Sequence, residues 1–344
     1  MKIERSYSFM LNNSTSVLRI PATPQYGVII EDIEKIQDSL FLDIYKRAIV
    51  NVINIASSSA LREQSTSKSR AKPLAKEEFL NTVIAFTGDR GSGKSSAMLT
   101  FARILKNNSN VMLEPRNIDF SKKKFWVLHA LDATQMGKNE HLLASVSARM
   151  YKEFQKHSSD GKIPHGITID TKRDFLSQVQ KVNRLSIMCN NDDWSSDESV
   201  LLQNITELSD IRESVQELVV KFLRIMFGNC DENTFLVISI DDLDMNLTTS
   251  YEIVDEIRKF FTIPHVIVLT SVCVEQFREL VSVQFQKPFK DSSKSTGFGK
   301  SNTAEVLAQK YVEKMFPISR QMEMPKLTTE QLSRIYIDNL LGEK

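Results

Sequence analysis

Cysteine is scarce in this chain of 344 residues. Cys189, Cys230 and Cys273 stand apart, with no C-x-x-C pair. That spacing offers neither a disulfide framework nor a cysteine zinc site, and it suits a reducing compartment. An excess of one charge is also missing: 44 Lys and Arg against 43 Asp and Glu leave a formal net charge of +1. No overall field marks a nucleic-acid or membrane-surface binder, so a DNA-loading role is left open but disfavoured. No apolar run approaches the ~18 residues of a membrane span. The first ten residues are too polar and charged for a secretory signal. The expected location is therefore the cytoplasm, away from membranes. The five histidines, His129, His141, His157, His165 and His265, show no metal-ligand spacing; core or surface roles are expected for them.

What is present is ordinary for a globular protein, at 41% hydrophobic and 25% charged residues. The length suits about two domains. Residues 1–30 carry Pro21, Pro24 and Gly27 and read as irregular or short strands. Helical spacing runs from Glu31 to Ala56. A Ser-, Lys- and Arg-rich stretch, 57–76, reads as a linker whose cations either stay solvated or touch phosphate. Continuous apolar runs then predict buried parallel strands at Thr82–Thr87, Phe125–Ala130, Phe235–Ile240 and His265–Ser271, with a short fifth at Arg320–Met324. Helices are expected between them, at Ser95–Leu105, Asn139–Phe154, Lys172–Met188, Ile205–Phe227, Tyr251–Phe261, Val274–Phe285 and Thr303–Met315. A further helix is expected to start near Thr328 or Thr329. Alternating strands and helices predict an α/β domain around a parallel five-stranded sheet flanked by helices.

One stretch carries chemistry. Gly88-Asp89-Arg90-Gly91-Ser92-Gly93-Lys94-Ser95 fits G-x-x-x-x-G-K-[ST] at every fixed position, after the apolar run Val83–Phe86 and before a helix. Glycines let the backbone turn its N–H groups around a phosphate chain, and the following helix points its positive end at the same phosphates. Lys94 would reach the β- and γ-phosphates, and the Ser95 hydroxyl would ligate Mg²⁺. Residues 88–96, from Gly88 through Ser96, form the expected site for ATP.

The run Phe235–Ile240 ends in Asp241-Asp242. An acid at the carboxyl end of an apolar strand is placed to hold Mg²⁺, as Asp241, or to orient or deprotonate an attacking water, as Asp242. Asp244 reads first as a cap or loop carboxylate. The next strand ends in Thr270-Ser271; a hydroxyl there, with Thr270 as the candidate, contacts the γ-phosphate or the attacking water or is an ordinary strand-end hydroxyl. Asp132 either faces the site or caps a helix.

The order of parts resembles the KAP- and STAND-like branch of AAA+ P-loop ATPases. The resemblance rests on GDRGSGKSS at 88–96, FWVLHALDATQ at 125–135, LVISIDDLD at 236–244, VIVLTS at 266–271 and YVEKMFPISRQMEMPKLTTEQL at 311–332. The doubled Asp is similar to that branch, where many AAA+ proteins have Asp-Glu. Members with long helical inserts include bacterial antiphage-defence ATPases, among them the ATPase of the RADAR system, which works with an adenosine deaminase. The resemblance implies an ATP–Mg²⁺ hydrolase that forms a homo-oligomer, a ring, and acts with an effector enzyme of that kind. It also implies an arginine reaching a neighbour's γ-phosphate; Arg320 is the candidate, with Lys314 behind it, and a plain surface cation is the alternative. The implied division is an N-terminal extension and linker at 1–78 and an ATPase core at 79–325 with a helical insert at about 157–230. The start of a helical lid follows at 326–344, which suggests a longer protein.

Overall fold

The computed structural model of the chain describes residues 18–21, 41–68, 81–107, 122–137, 140–188, 210–246, 249–290, 300–326 and 335–338. In chain order its elements are β1 (Leu18–Pro21), α1 (Leu42–Lys68), β2 (Val83–Thr87), α2 (Lys94–Asn107), β3 (Lys124–Val127) and β4 (Leu131–Asp132). Then come α3 (Leu142–Ser159), α4 (Ile169–Met188), α5 (Ile211–Phe227), β5 (Thr234–Asp241), α6 (Ser250–Glu256) and β6 (Val266–Val272). The chain continues through α7 (Val274–Lys290), α8 (Lys300–Met315), β7 (Gln321–Glu323) and β8 (Ile335–Asp338).

The main sheet is parallel and runs β3-β5-β6-β2-β7, with β4 also paired to β5. It has six strands, one more than the five expected. The extra one arises because the run Phe125–Ala130 does not pair as one piece. Val127 lies opposite Val237 and Leu131 opposite Ile240. Four residue steps on one side therefore face three on the other, and the additional residue interrupts the ladder as a bulge does.

The continuous apolar runs have a direct cause. Successive side chains on a strand face opposite sides of the sheet, and here both sides are covered. Val83, Ala85, Leu236, Ile238, Val266 and Val268 pack into a core shared with α3 to α8. Their neighbours Ile84, Phe86, Phe235, Val237, Ile267 and Leu269 pack into a second core with α1 and α2. Tyr45 of α1 stacks on Phe101 of α2, at 6.3 Å between ring centroids.

Helix α1 runs on to Lys68, through residues expected to open a linker. Ser57, Ser58 and Ser59 donate to the carbonyls of Ile53, Asn54 and Ile55 at 2.8–3.0 Å. Each hydroxyl thus finds its partner four residues back in the helix instead of drawing the chain into a cap or turn. Within the stretch expected to begin a lid helix, 335–338 are instead strand β8, paired in parallel with β1; 327–334 lie outside the described residues, as do 69–80 and 189–209. No described helix is long and apolar enough to cross a membrane.

Candidate functional site

Because β2, β5 and β6 are parallel, the loops that follow them leave one edge of the sheet. The loop after β2 is shaped by its glycines. Gly88 has φ +150°, and a Cβ there would lie 2.8 Å from Ser92 Oγ and 3.1 Å from Met324 Cβ. Gly93 has φ +90°, and a Cβ there would meet the Phe41 ring at 2.8 Å. Neither position accepts a side chain without strain. Asp89 and Arg90 are exposed at the tip, and Ser92 N donates to Asp89 O at 3.2 Å. Lys94 opens α2, and its side chain is buried. Its Nζ donates to Gly88 O at 3.0 Å and Asp89 O at 3.1 Å. The ammonium is thus held inside the curl of the loop. Ser95 and Ser96 lie in the first turn of α2, where backbone N–H groups lack helical partners. Curled backbone, buried ammonium and helix N-terminus together make an anion-binding arrangement.

The loop after β5 supplies carboxylates. Asp241 ends the strand and accepts a short hydrogen bond from Ser271 Oγ of β6. Asp242 follows in left-handed backbone, φ +51°, and its N–H donates to Ser271 Oγ at 2.8 Å and to Asp241 Oδ1 at 3.1 Å. Leu243 N bonds Ser271 O at 3.1 Å. Ser271 thereby fixes the whole turn. Asn246 Nδ2 reaches the carbonyls of Ala133 and Met136 at 3.0 and 3.1 Å, so the turn is also tied to the segment after β4. There Asp132 accepts from Thr134 N, Thr134 Oγ1 and Gln135 Nε2: it is a cap.

Burial raises the Asp242 carboxyl above the ordinary aspartate range, and the negative charges of Asp241, Asp244 and Asp132 raise it further. Lys94 opposes them, which brings the glycine loop and the carboxylate turn into one electrostatic neighbourhood. The donors are all oxygens, the set a hard cation such as Mg²⁺ takes. Among the described residues no three His, Cys, Asp or Glu converge to hold a metal by themselves. A cation here would complete its shell with water, a hydroxyl or phosphate oxygens, as Mg²⁺ does. A cavity of about 570 Å³ opens beside the glycine loop, between Gly88–Ser92, Glu275, Glu323 and Lys326.

Thr270 is fully buried in β6, one residue before the hydroxyl that touches Asp241. Ser271 is the strand-end hydroxyl at the acid. Period-two alternation separates the two faces, but nothing local in the sequence says which face carries the acid. Arg320 lies before β7, which pairs Gln321 with Ala85, upstream of the glycine loop along the sheet. It donates to Asn51 O of α1 at 2.8 Å, and burial lowers its pKa. Asn51 Nδ2 returns a bond to Ser319 O at 3.1 Å, and Arg47 reaches Gln321 O at 3.3 Å. Lys314 is exposed on α8.

Compared with known proteins, the chain matches no protein-family model and no curated protein.

Proposed function

We propose that the chain is a P-loop ATPase of AAA+ type, binding ATP–Mg²⁺ at the glycine loop and hydrolysing it with Asp242 as the base. The observation that carries this reading is the joint placement of G-x-x-x-x-G-K-S and Asp241-Asp242 at one edge of a parallel sheet, with Lys94 acting on Asp242. The loop amides and Lys94 would hold the β- and γ-phosphates, which requires the ammonium to leave Gly88 O and Asp89 O for phosphate oxygens. Ser95 and Asp241 would hold Mg²⁺, which neutralises charge on the phosphates when bound. Asp242 is held by its own backbone bond to Ser271, so its carboxyl is free to orient a water and take its proton. Assembly into a ring, action with an effector such as an adenosine deaminase, and a part in antiviral defence belong to this proposal through the resemblance alone.

A second reading, an ATP-binding switch with little turnover, is favoured by Arg320. Its guanidinium is engaged by α1, so it does not stand ready for a neighbour's phosphate. Titration with ATP tests the common core of both readings. Lys94→Ala should abolish tight binding, and unchanged affinity would remove the loop from the site.

A further inference from the structure

Asp244 is 6% exposed, and its Oδ1 is buried without a hydrogen-bond partner. Among the described residues it is the one carboxylate oxygen in that position. The neighbouring acids are provided for: Asp132 caps a turn, Asp241 takes the Ser271 hydroxyl, and Asp255 pairs with Arg258 and Lys259. Asp244 does not cap the next helix either, because the N-cap of α6 is Thr249. The turn from Asp242 to Met245 is closed by Met245 N to Asp242 O at 3.1 Å and keeps Asp244 near enough for its charge to act on Asp242. A buried carboxylate oxygen without a donor is costly unless something supplies one.

We infer that Asp244 is a positioning residue of the Mg²⁺ site, its buried Oδ1 accepting a hydrogen bond from a water on the cation. The inference rests on the ATPase reading. It fits the chemistry of Mg²⁺, which keeps several waters and binds through one or two carboxylates plus phosphate oxygens. Those waters are donors that need acceptors, and outer-shell acceptors orient them and set metal affinity. Asp241 Oδ1 already takes the Ser271 hydroxyl and the Asp242 N–H, which leaves Oδ2 for the metal itself. The turn Asp241-Asp242-Leu243-Asp244 thus divides the work: one acid toward the metal, one toward the attacking water, one toward the metal's water.

The test is the affinity of a non-hydrolysable ATP analogue, titrated against free Mg²⁺, for the wild-type chain, Asp244→Asn and Asp244→Ala. Both variants should raise the Mg²⁺ concentration for half-maximal tightening by about tenfold or more, with affinity in EDTA unchanged. The thermal midpoint without nucleotide should not fall, because no protein partner is lost. Unchanged Mg²⁺ dependence in both variants, against a Mg²⁺-dependent wild type, overturns the inference alone. So does a lowered midpoint with unchanged Mg²⁺ dependence, the mark of a structural carboxylate. A wild-type chain that ignores the analogue, or binds it equally without Mg²⁺, overturns the inference together with the ATPase reading.

Discussion

The carboxyl edge of the sheet and the bracket between α1 and β7 are both built from polar groups, but their accounts close differently. At the bracket each partner is matched: Arg320 with Asn51 O, Asn51 with Ser319 O, Arg47 with Gln321 O. At the carboxyl edge Ser92 Oγ and Asp244 Oδ1 are buried without partners, Asp242 holds left-handed backbone, and four acids crowd one ammonium. Closed hydrogen bonding fixes one helix against one strand. Open hydrogen bonding, left-handed backbone and a perturbed carboxyl are what the proposed ATP–Mg²⁺ site would show before its ligand is bound. The same contrast separates Arg320, a charge already spent on the fold, from Lys94, whose carbonyl partners a phosphate can replace.

The largest effect that would sharpen this contrast concerns assembly. Among the described residues Lys94 is the one cation among the larger influences on Asp242, and phosphoryl transfer gains roughly 10³–10⁵ in rate from an arginine supplied in trans. Turnover per subunit should therefore rise steeply with protein concentration as multimers form. A flat profile across that range would mean that the site is complete within one chain or that the protein is a switch.

Next is pH. Because the Asp242 carboxyl titrates above the ordinary aspartate range, it keeps its proton to a higher pH, and a base must be unprotonated. Turnover should fall as pH drops through that raised pKa, starting at higher pH than an ordinary aspartate at about 3.9 would give. Asp132→Asn removes one like charge and should move this acid limb to lower pH. A limb that stays in place would locate the titrating group elsewhere.

The smallest effect belongs to the bracket. Arg320→Ala removes one half-buried charged hydrogen bond, which should lower stability by about 1–2 kcal/mol in chemical denaturation. ATP affinity and turnover of the folded variant should not change. A loss of turnover in multimers with stability intact would return Arg320 to the role of a trans-acting arginine.

Much of this architecture was legible before any coordinates. Continuous apolar runs announce strands covered on both faces, and the glycines of Gly88–Ser95 announce a tightly turned loop between a strand and a helix. Asp241 and Asp242 follow from the strand they end. What local pattern does not carry is register and long-range pairing. One extra residue between Val127 and Leu131 splits a strand that hydrophobicity alone makes continuous. Ser57–Ser59 have the composition of a linker, but their hydroxyls turn inward to the helix. The pairing of Leu18–Pro21 with Ile335–Asp338 joins segments too far apart for any periodicity to reveal. The strand end Thr270-Ser271 stood out, but not which of its hydroxyls meets the acid; Asn51 acts through a partner 269 residues away and did not stand out.

The central claim is that the carboxyl edge hydrolyses ATP with Asp242 as base, and phosphate release from ATP by wild-type and Asp242→Asn chains tests it most directly. In Mg²⁺ at concentrations that support multimers, the wild type should release phosphate, and Asp242→Asn should bind ATP but release it at least about 10²-fold more slowly. Equal rates in the two proteins, or no ATP binding by either, would contradict it.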